Sequence, residues 1–101
     1  MKILIISPTR EEIRPLDRML EELEAAGTLR NHLIDLAVTD VGSTLTAFRL
    51  TKLLVPANWD LVLQLGICGS FDVTLQNGTV VNVIEERFAD LGAEDGENFL
   101  D

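Results

Sequence analysis

The stretch that decides the fold is MKILIISPTREEI, residues 1–13. Its apolar run, Lys2–Ile6, does not alternate polar with apolar side chains, which is typical of a strand covered on both faces in a parallel sheet. Thr9 and Glu12 follow with the three-residue spacing of a capping box, a signal for a helix start. The stretch therefore predicts a β-α unit, and it leaves open whether Glu12 begins the helix or takes part in chemistry.

The rest of the chain continues the alternation of strands and helices. The first helix is predicted to end at Gly27, a common stop signal. The later predicted elements, in chain order, are a strand Leu33–Val41, a helix Thr44–Leu54, a strand Leu61–Leu65 and a strand Thr79–Glu85. Asn77-Gly78 predicts a turn before the last strand, and the acidic tail from Asp90 to Asp101 predicts a loop.

This order, β-α-β-α-β-β, indicates the α/β class with a largely parallel or mixed sheet. Strands of this apolar character need cover on both faces, and two helices are too few to provide it. We therefore expect further chain or a partner to complete the fold.

The composition limits the classes of partner. Seventeen acidic against eight basic residues give the 101-residue chain a formal net charge of −9, which argues against nucleic acid and anionic membranes. Cys68 is the only cysteine, so no internal disulfide can form and a reducing compartment fits. The N-terminal apolar run is too short for a signal peptide or a membrane span. We expect a soluble, cytoplasmic protein.

Glu12 has two interpretations. As part of a capping box, Thr9 would cap the helix and the Glu12 side chain would reach back to the Thr9 amide. As a functional group, Glu12 lies just beyond the carboxyl end of a strand, where ligands bind in doubly wound sheets. A carboxylate there can take a proton from water. The local pattern alone favours the cap.

Two further segments follow predicted strands. The turn Gly66–Ser70 has two glycines, which would let the backbone approach a ligand closely, although a plain tight turn explains it equally well. Gly42-Ser43 opens the second helix. Ser43 is predicted as its N-cap, with an anion or a sugar hydroxyl at the helix N-terminus as the alternative.

The remaining candidates favour structural roles. Cys68 is predicted to be a small buried apolar residue rather than a nucleophile, because the only histidine, His32, precedes a different strand. His32 is predicted at the surface. Five acidic residues of the tail do not have the spacing of an EF-hand loop: Asp90, Glu94, Asp95, Glu97 and Asp101. No metal site and no cofactor are predicted.

Four segments together resemble the N-terminal part of the nucleoside phosphorylase/nucleosidase superfamily: MKILIISPTREEI, VTDVGSTLTAFRLT, DLVLQLGICGSFD and LQNGTVVNVIEERFADLGAEDG. The last, through Phe88–Asp95, is most similar to the futalosine hydrolases, relatives of methylthioadenosine/S-adenosylhomocysteine nucleosidase. The resemblance covers essentially all of residues 1–101. It implies a three-layer phosphorylase/hydrolase-like mixed sheet flanked by helices, of which residues 1–101 are the N-terminal portion of a single domain.

The resemblance also implies an activity and reverses the interpretation of Glu12. Phosphorylases of the superfamily have a phosphate loop after the first strand, and this chain has none there. Hydrolases have a glutamate at the position of Glu12, which orients and deprotonates the attacking water. The implied reaction is hydrolysis of the N-glycosidic bond of a purine nucleoside. The implied substrate is futalosine, with release of hypoxanthine and dehypoxanthinyl futalosine in menaquinone biosynthesis.

The resemblance assigns the strand-end turns to the substrate. Gly66, Ile67, Cys68 and Gly69 would border the base, the ribose and the water, and Gly42 and Ser43 would lie near the ribose. In the methylthioadenosine enzyme a serine follows the first glycine of that turn. Ile67 departs from that enzyme and suits the futalosine group.

Family members also have a glutamate pair that grips the ribose and an aspartate that acts on the purine. Neither is assigned to residues 1–101, so we expect this chain to be roughly the N-terminal half of a catalytic domain, inactive when isolated. Relatives are commonly homodimers, which implies a homo-oligomer. The alternatives are methylthioadenosine/S-adenosylhomocysteine nucleosidase, purine nucleoside phosphorylase, or a truncated, non-catalytic domain that binds nucleosides or self-associates.

Overall fold

The structure, a computed structural model, describes residues 1–88, 92–96 and 98–100. The chain divides into two compact units, Met1–Gly69 and Ser70–Asp101. The first unit has the elements β1 (Lys2–Ser7), α1 (Arg10–Ala25), β2 (Leu33–Val38), α2 (Ser43–Leu54) and β3 (Leu61–Gln64). The β-α-β-α-β order predicted for this part of the chain is confirmed.

The first unit is built on a three-stranded parallel sheet with the order β2-β1-β3. β1 is central: Ile3 pairs with Ile34 on one side and with Leu61 on the other. The chain moves from β1 to β2 and then returns across β1 to β3, so the direction of the connections reverses at β1. In α/β sheets such a reversal opens a crevice at the carboxyl ends of the strands.

β1 supplies most of the core. Leu4, Ile5 and Ile6 are all almost fully buried, at 1%, 6% and 2% exposure, and Ile13 of α1 joins them. Neighbouring side chains of a strand point to opposite faces. Both faces of β1 are therefore covered, as the unbroken apolar run predicts.

The ends of α1 follow the sequence signals. The Thr9 side chain accepts a hydrogen bond from the Glu12 amide, which makes Thr9 the N-cap. At the other end, Gly27 has φ +70, and the amides of Gly27 and Thr28 donate to the carbonyls of Glu24 and Leu23. This is a Schellman motif, in which glycine takes the left-handed conformation at little cost. The predicted helix start and stop are both confirmed.

β2 is shorter than predicted. The Thr39 amide still donates to the Ser7 carbonyl at 2.9 Å, but Asp40 has φ +64 and turns the chain out of the sheet. The predicted end at Val41 is wrong because apolar character continues past the point where the backbone bends. The predicted end of β3 at Leu65 is also one residue too long, since the strand ends at Gln64.

α2 begins at Ser43, one residue before the predicted start. Gly42 is its N-cap, and no side chain caps the helix, so the prediction of Ser43 as N-cap is wrong. No residue of α2 is buried. The indole of Trp59, which follows the helix, donates a hydrogen bond to the Leu53 carbonyl at 3.0 Å. This contact satisfies a carbonyl at the C-terminal end of α2.

The second unit differs from the sequence prediction. Its strands are β4 (Ala93–Asp95) and β5 (Asn98–Leu100), which pair antiparallel, so the prediction of a loop over the whole tail is wrong. Thr79–Glu85 is not a strand. Val80 and Ile84 are 96% and 92% exposed, and β-branched residues favour strands only where they pack against neighbours.

The turn at Asn77-Gly78 is confirmed, because the Thr79 amide donates to the Gln76 carbonyl at 3.1 Å. Earlier in the same unit, the Asp72 carboxylate accepts hydrogen bonds from the amide and the hydroxyl of Thr74. The Thr74 hydroxyl and then its amide lower the pKa of Asp72. These contacts order the local chain without forming a core.

The cover of the sheet in the first unit is incomplete. All four residues of β3 are exposed, including Leu61 and Leu63, each at 39%. β3 also stands at an end of the sheet, so within the described residues its outer edge has no neighbouring strand. Within the same described part of the chain, no helix is both long and apolar enough to cross a bilayer.

Candidate functional site

The candidate site lies where the chain leaves two neighbouring strands. Glu12, in the first turn of α1, follows β1, and Gly66-Ile67 follows β3. Because β1 and β3 are parallel neighbours, their carboxyl ends lie side by side at the point where the connections reverse. The two segments meet across the crevice that such sheets use for ligands.

The Glu12 carboxylate accepts a hydrogen bond at each oxygen. The Ile67 amide donates to Oε1 at 2.9 Å, and the Thr9 hydroxyl donates to Oε2 at 2.6 Å. Hydrogen bonds to a charged acceptor are stronger than neutral ones. The carboxylate is therefore held between the start of α1 and the segment after β3.

These contacts answer the question raised by the first thirteen residues. Thr9 caps α1, as predicted, but the Glu12 carboxylate takes the Thr9 hydroxyl and crosses to the Ile67 amide. Glu12 thus contributes to the helix start through its own amide. Its side chain bridges the start of α1 and the segment after β3.

The same contacts favour the charged form of Glu12. The Thr9 hydroxyl and then the Ile67 amide hold the pKa of Glu12 below its ordinary value, against a smaller opposing effect of desolvation. The position of Glu12 in the first turn of α1 acts in the same direction, because the helix N-terminus carries partial positive charge. Glu12 is ionised at neutral pH and is ready to accept a hydrogen bond or a proton.

Gly66 makes room for this arrangement. A Cβ at this position would lie 3.1 Å from Oε1 of Glu12 and 3.4 Å from Cδ of Pro8. Glycine is favoured here because it has no side chain and not because of its backbone conformation, since Gly66 does not have a positive φ. A glycine at this point allows the β3 segment to approach the carboxylate closely enough for the Ile67 amide to bind it.

A groove of about 740 Å³ adjoins the site. Thr9, whose hydroxyl binds the Glu12 carboxylate, also lines this groove. The groove is further lined by Arg10 and Glu11 of α1, by Asp40 after β2, and by Arg49 of α2. Asp40 and Arg49 form an ion pair at 2.8 Å, with each side chain about half exposed. The ion pair connects two walls of the groove, although an exposed pair contributes little to stability.

The structure brings together some of the predicted site residues. Glu12, Gly66 and Ile67 form one cluster. None of the hydrogen bonds in the described part of the chain joins Glu12 to the other predicted residues, Gly42, Ser43, Cys68 and Gly69.

Cys68 is exposed, so the prediction of a buried apolar residue is wrong. The reason is that β3 ends at Gln64 and the following turn is uncovered. His32, predicted at the surface, is exposed.

Among the described residues, no cluster of histidine, cysteine and acidic side chains has the geometry of a metal site. Of the tail acids considered from the sequence, Asp90, Glu97 and Asp101 lie outside the described residues. So do Ala89 and Leu91, within the Phe88–Asp95 segment that resembles futalosine hydrolases.

Comparison with protein-family models, with curated proteins and with solved structures finds no match for this chain.

Sequence reasoning missed two features of the site. Thr9 was predicted as a cap only, and its second contact, to the Glu12 carboxylate, needs the side-chain positions. The ion pair of Asp40 with Arg49 joins residues nine positions apart across a change of element. The available signal is weak: Asp40 is an acidic residue near the end of the predicted strand Leu33–Val41.

The low pKa of Glu12 predicts an acid-dependent loss of stability. Its contribution is fully present above the unfolded value near 4.5 and disappears as the pH falls through the lower pKa of the folded chain. We expect the stability difference between the wild type and Glu12→Gln to be constant at neutral pH and to shrink below about pH 5. Urea unfolding from pH 3 to 7 measures it. The matched control is Glu21→Gln, on the exposed part of α1; a control that shows the same pH dependence would contradict the prediction.

Gly66→Ala is expected to raise the pKa of Glu12 towards its ordinary value. The added Cβ would crowd Oε1 and push the carboxylate away from the Ile67 amide, which removes one stabilising donor. A ¹³C NMR titration of the Glu12 side-chain carboxyl carbon measures the change. Gly69→Ala is the control, because a Cβ there would meet nothing within 4 Å. Equal pKa values in the two variants would show that the space at Gly66 is unimportant for the contact.

Proposed function

We propose that this chain carries the water-activating part of a purine nucleoside hydrolase. The observation that carries the proposal is the Glu12 carboxylate, bound by the Ile67 amide across the carboxyl ends of β1 and β3. That edge of the sheet is where α/β proteins bind ligands. Ionised Glu12 has the charge and the position of a general base for water.

In the proposed reaction the glycosidic C–N bond of the nucleoside breaks first. Its electron pair leaves with the purine, and positive charge develops on the ribosyl carbon. Water then adds to that carbon, and its proton passes to the Glu12 carboxylate. An anionic group beside the developing positive charge also stabilises the transition state.

The resemblance of the four segments supports a specific substrate class. It favours futalosine, with hypoxanthine as the released base, in a cytoplasmic enzyme that works on a small molecule. The absence of a phosphate loop between Ser7 and Glu12 in the sequence favours water over phosphate as the attacking group. Methylthioadenosine hydrolysis and phosphorolysis remain alternatives.

By the resemblance, no residue of 1–101 is assigned to grip the ribose or to act on the purine. Groups that act only in the transition state affect the rate strongly. We therefore expect turnover from protein that includes such groups and no useful turnover from the isolated chain.

A second candidate, a non-catalytic self-associating domain, is favoured by a different observation. The apolar side chains of Leu61, Val62 and Leu63 on β3 are all more than one third exposed, and Leu65 just beyond them is 43% exposed. Exposed apolar patches of this kind mark interaction surfaces. Assembly is compatible with catalysis, so the two candidates are separated by activity.

Protein expressed from the complete gene is expected to release hypoxanthine from futalosine. Glu12→Gln should lower kcat by about 10²- to 10⁴-fold, because the amide cannot take the proton from water. Release of hypoxanthine is followed by chromatography. Glu21→Gln, which changes an exposed glutamate on the same helix, should keep wild-type activity. Absence of hydrolysis of futalosine and of the alternative nucleosides by the wild type would refute the enzymatic proposal.

The chain is expected to form a homo-oligomer at micromolar concentration, because the exposed apolar residues of β3 gain from burial between copies. Light scattering measures the mass. Leu61→Lys places a charge on this edge and should shift the mass towards the monomer. Leu33→Lys on β2, at the opposite edge of the sheet, is the control and should leave the mass unchanged. A wild-type chain that is monomeric under these conditions would contradict the prediction.

A further inference from the structure

We propose that Thr9 is a positioning residue for Glu12, and that it keeps Glu12 in the ionised form that accepts a proton. This inference rests on the proposed function for its catalytic meaning, and on the contacts of Thr9 for everything else. Thr9 is half-buried at the start of α1, on the wall of the groove that adjoins the candidate site.

The Thr9 hydroxyl is oriented by the helix. Its oxygen accepts the Glu12 amide at 3.3 Å, and its single hydrogen is directed to Oε2 of Glu12 at 2.6 Å. A hydroxyl has one hydrogen and two lone pairs. Because the helix-capping bond uses the oxygen as an acceptor, the hydrogen is available for the carboxylate without loss of the cap.

The second contact of Glu12 completes the orientation. The Ile67 amide binds Oε1, so the two oxygens are held by donors from different segments of the chain. Donors from two segments restrict the orientation of the carboxylate. A carboxylate has about four acceptor sites, so it can still accept a further partner. A water molecule bound there would meet an acceptor whose direction is already set, which is the requirement for efficient general-base catalysis.

The two contacts also favour the ionised form of the Glu12 carboxylate. The Thr9 hydroxyl and the Ile67 amide both donate to it, and a donor binds a charged carboxylate more strongly than a neutral carboxyl group. Arg10 and Glu11 precede Glu12 on α1. Within the described residues neither ion pair includes Glu12. The segment after β3 adds Cys68 as its nearest titratable side chain in the sequence.

Three substitutions separate the positioning role from helix capping. Thr9→Val removes the hydroxyl at nearly constant shape, and Thr9→Ser retains it. Thr9→Gly also removes the hydroxyl, but glycine is tolerated at an N-cap and lowers helix stability only slightly. If Thr9 acts only as a helix cap, Thr9→Val should differ from the wild type while Thr9→Gly and Thr9→Ser stay close to it. If Thr9 positions Glu12, Thr9→Ser should stay close to the wild type while Thr9→Val and Thr9→Gly both differ from it.

The first measurement is the ¹³C NMR titration of the Glu12 side-chain carboxyl carbon in the 101-residue chain. We expect Thr9→Val and Thr9→Gly to raise the pKa of Glu12 and Thr9→Ser to leave it near the wild-type value. Unchanged values in both Thr9→Val and Thr9→Gly would overturn the inference. Because it needs no substrate, this measurement stands even if the proposed hydrolase activity fails.

The second measurement is the pH–rate profile of the protein expressed from the complete gene. We expect Thr9→Val and Thr9→Gly to lower kcat on the order of tenfold, to leave KM nearly unchanged, and to move the acidic limb of the profile to higher pH. Thr9→Ser should restore both kcat and the acidic limb. An acidic limb that stays in place in the hydroxyl-free variants would assign Thr9 to capping alone.

Discussion

The structure of the first unit depends on the pairing of β1 with a parallel strand on each side. Among the three strands of this unit, β1 alone has nearly all of its apolar side chains buried, and β2 and β3 both pair with it. Its hydrogen bonds are satisfied on both edges, as buried backbone requires. The place where β1 ends then decides where α1 begins, and with it the position of Glu12.

At the start of α1, the helix cap and the candidate site share the same residues. Thr9 satisfies one of the free amides at the helix N-terminus and at the same time donates to the Glu12 carboxylate. The carboxylate then binds an amide that follows β3, 55 residues along the chain. Helix capping by Thr9 and its contact with the Glu12 carboxylate are thus not alternatives here. The cap orients the hydroxyl, and the hydroxyl orients the carboxylate.

The incomplete cover of β3 bears on both the proposed activity and the proposed assembly. Full burial of one large apolar side chain is worth about 1.5–3 kcal/mol, and Leu61, Val62 and Leu63 obtain only part of this. A surface that covers β3 would gain that free energy and would border the segment with Gly66 and Ile67. In the proposed enzyme, the surface that covers β3 would therefore also lie next to the candidate site.

The sequence by itself determined the local elements of the first unit. An unbroken apolar run predicted β1, the Thr9–Glu12 spacing predicted the start of α1, and Gly27 predicted its end, because each depends on neighbouring residues only. It also placed Glu12 and Gly66 as candidates, since both follow apolar strands.

Only the tertiary structure decided which strand-end residues meet. The sheet order puts β3 beside β1, and this brings the Ile67 amide to Glu12. The same dependence on packing explains the failures: Thr79–Glu85 has the side chains of a strand but is not one, and β2 ends where Asp40 turns. Strand formation and side-chain contacts depend on neighbours that are distant in the sequence, which no local pattern contains.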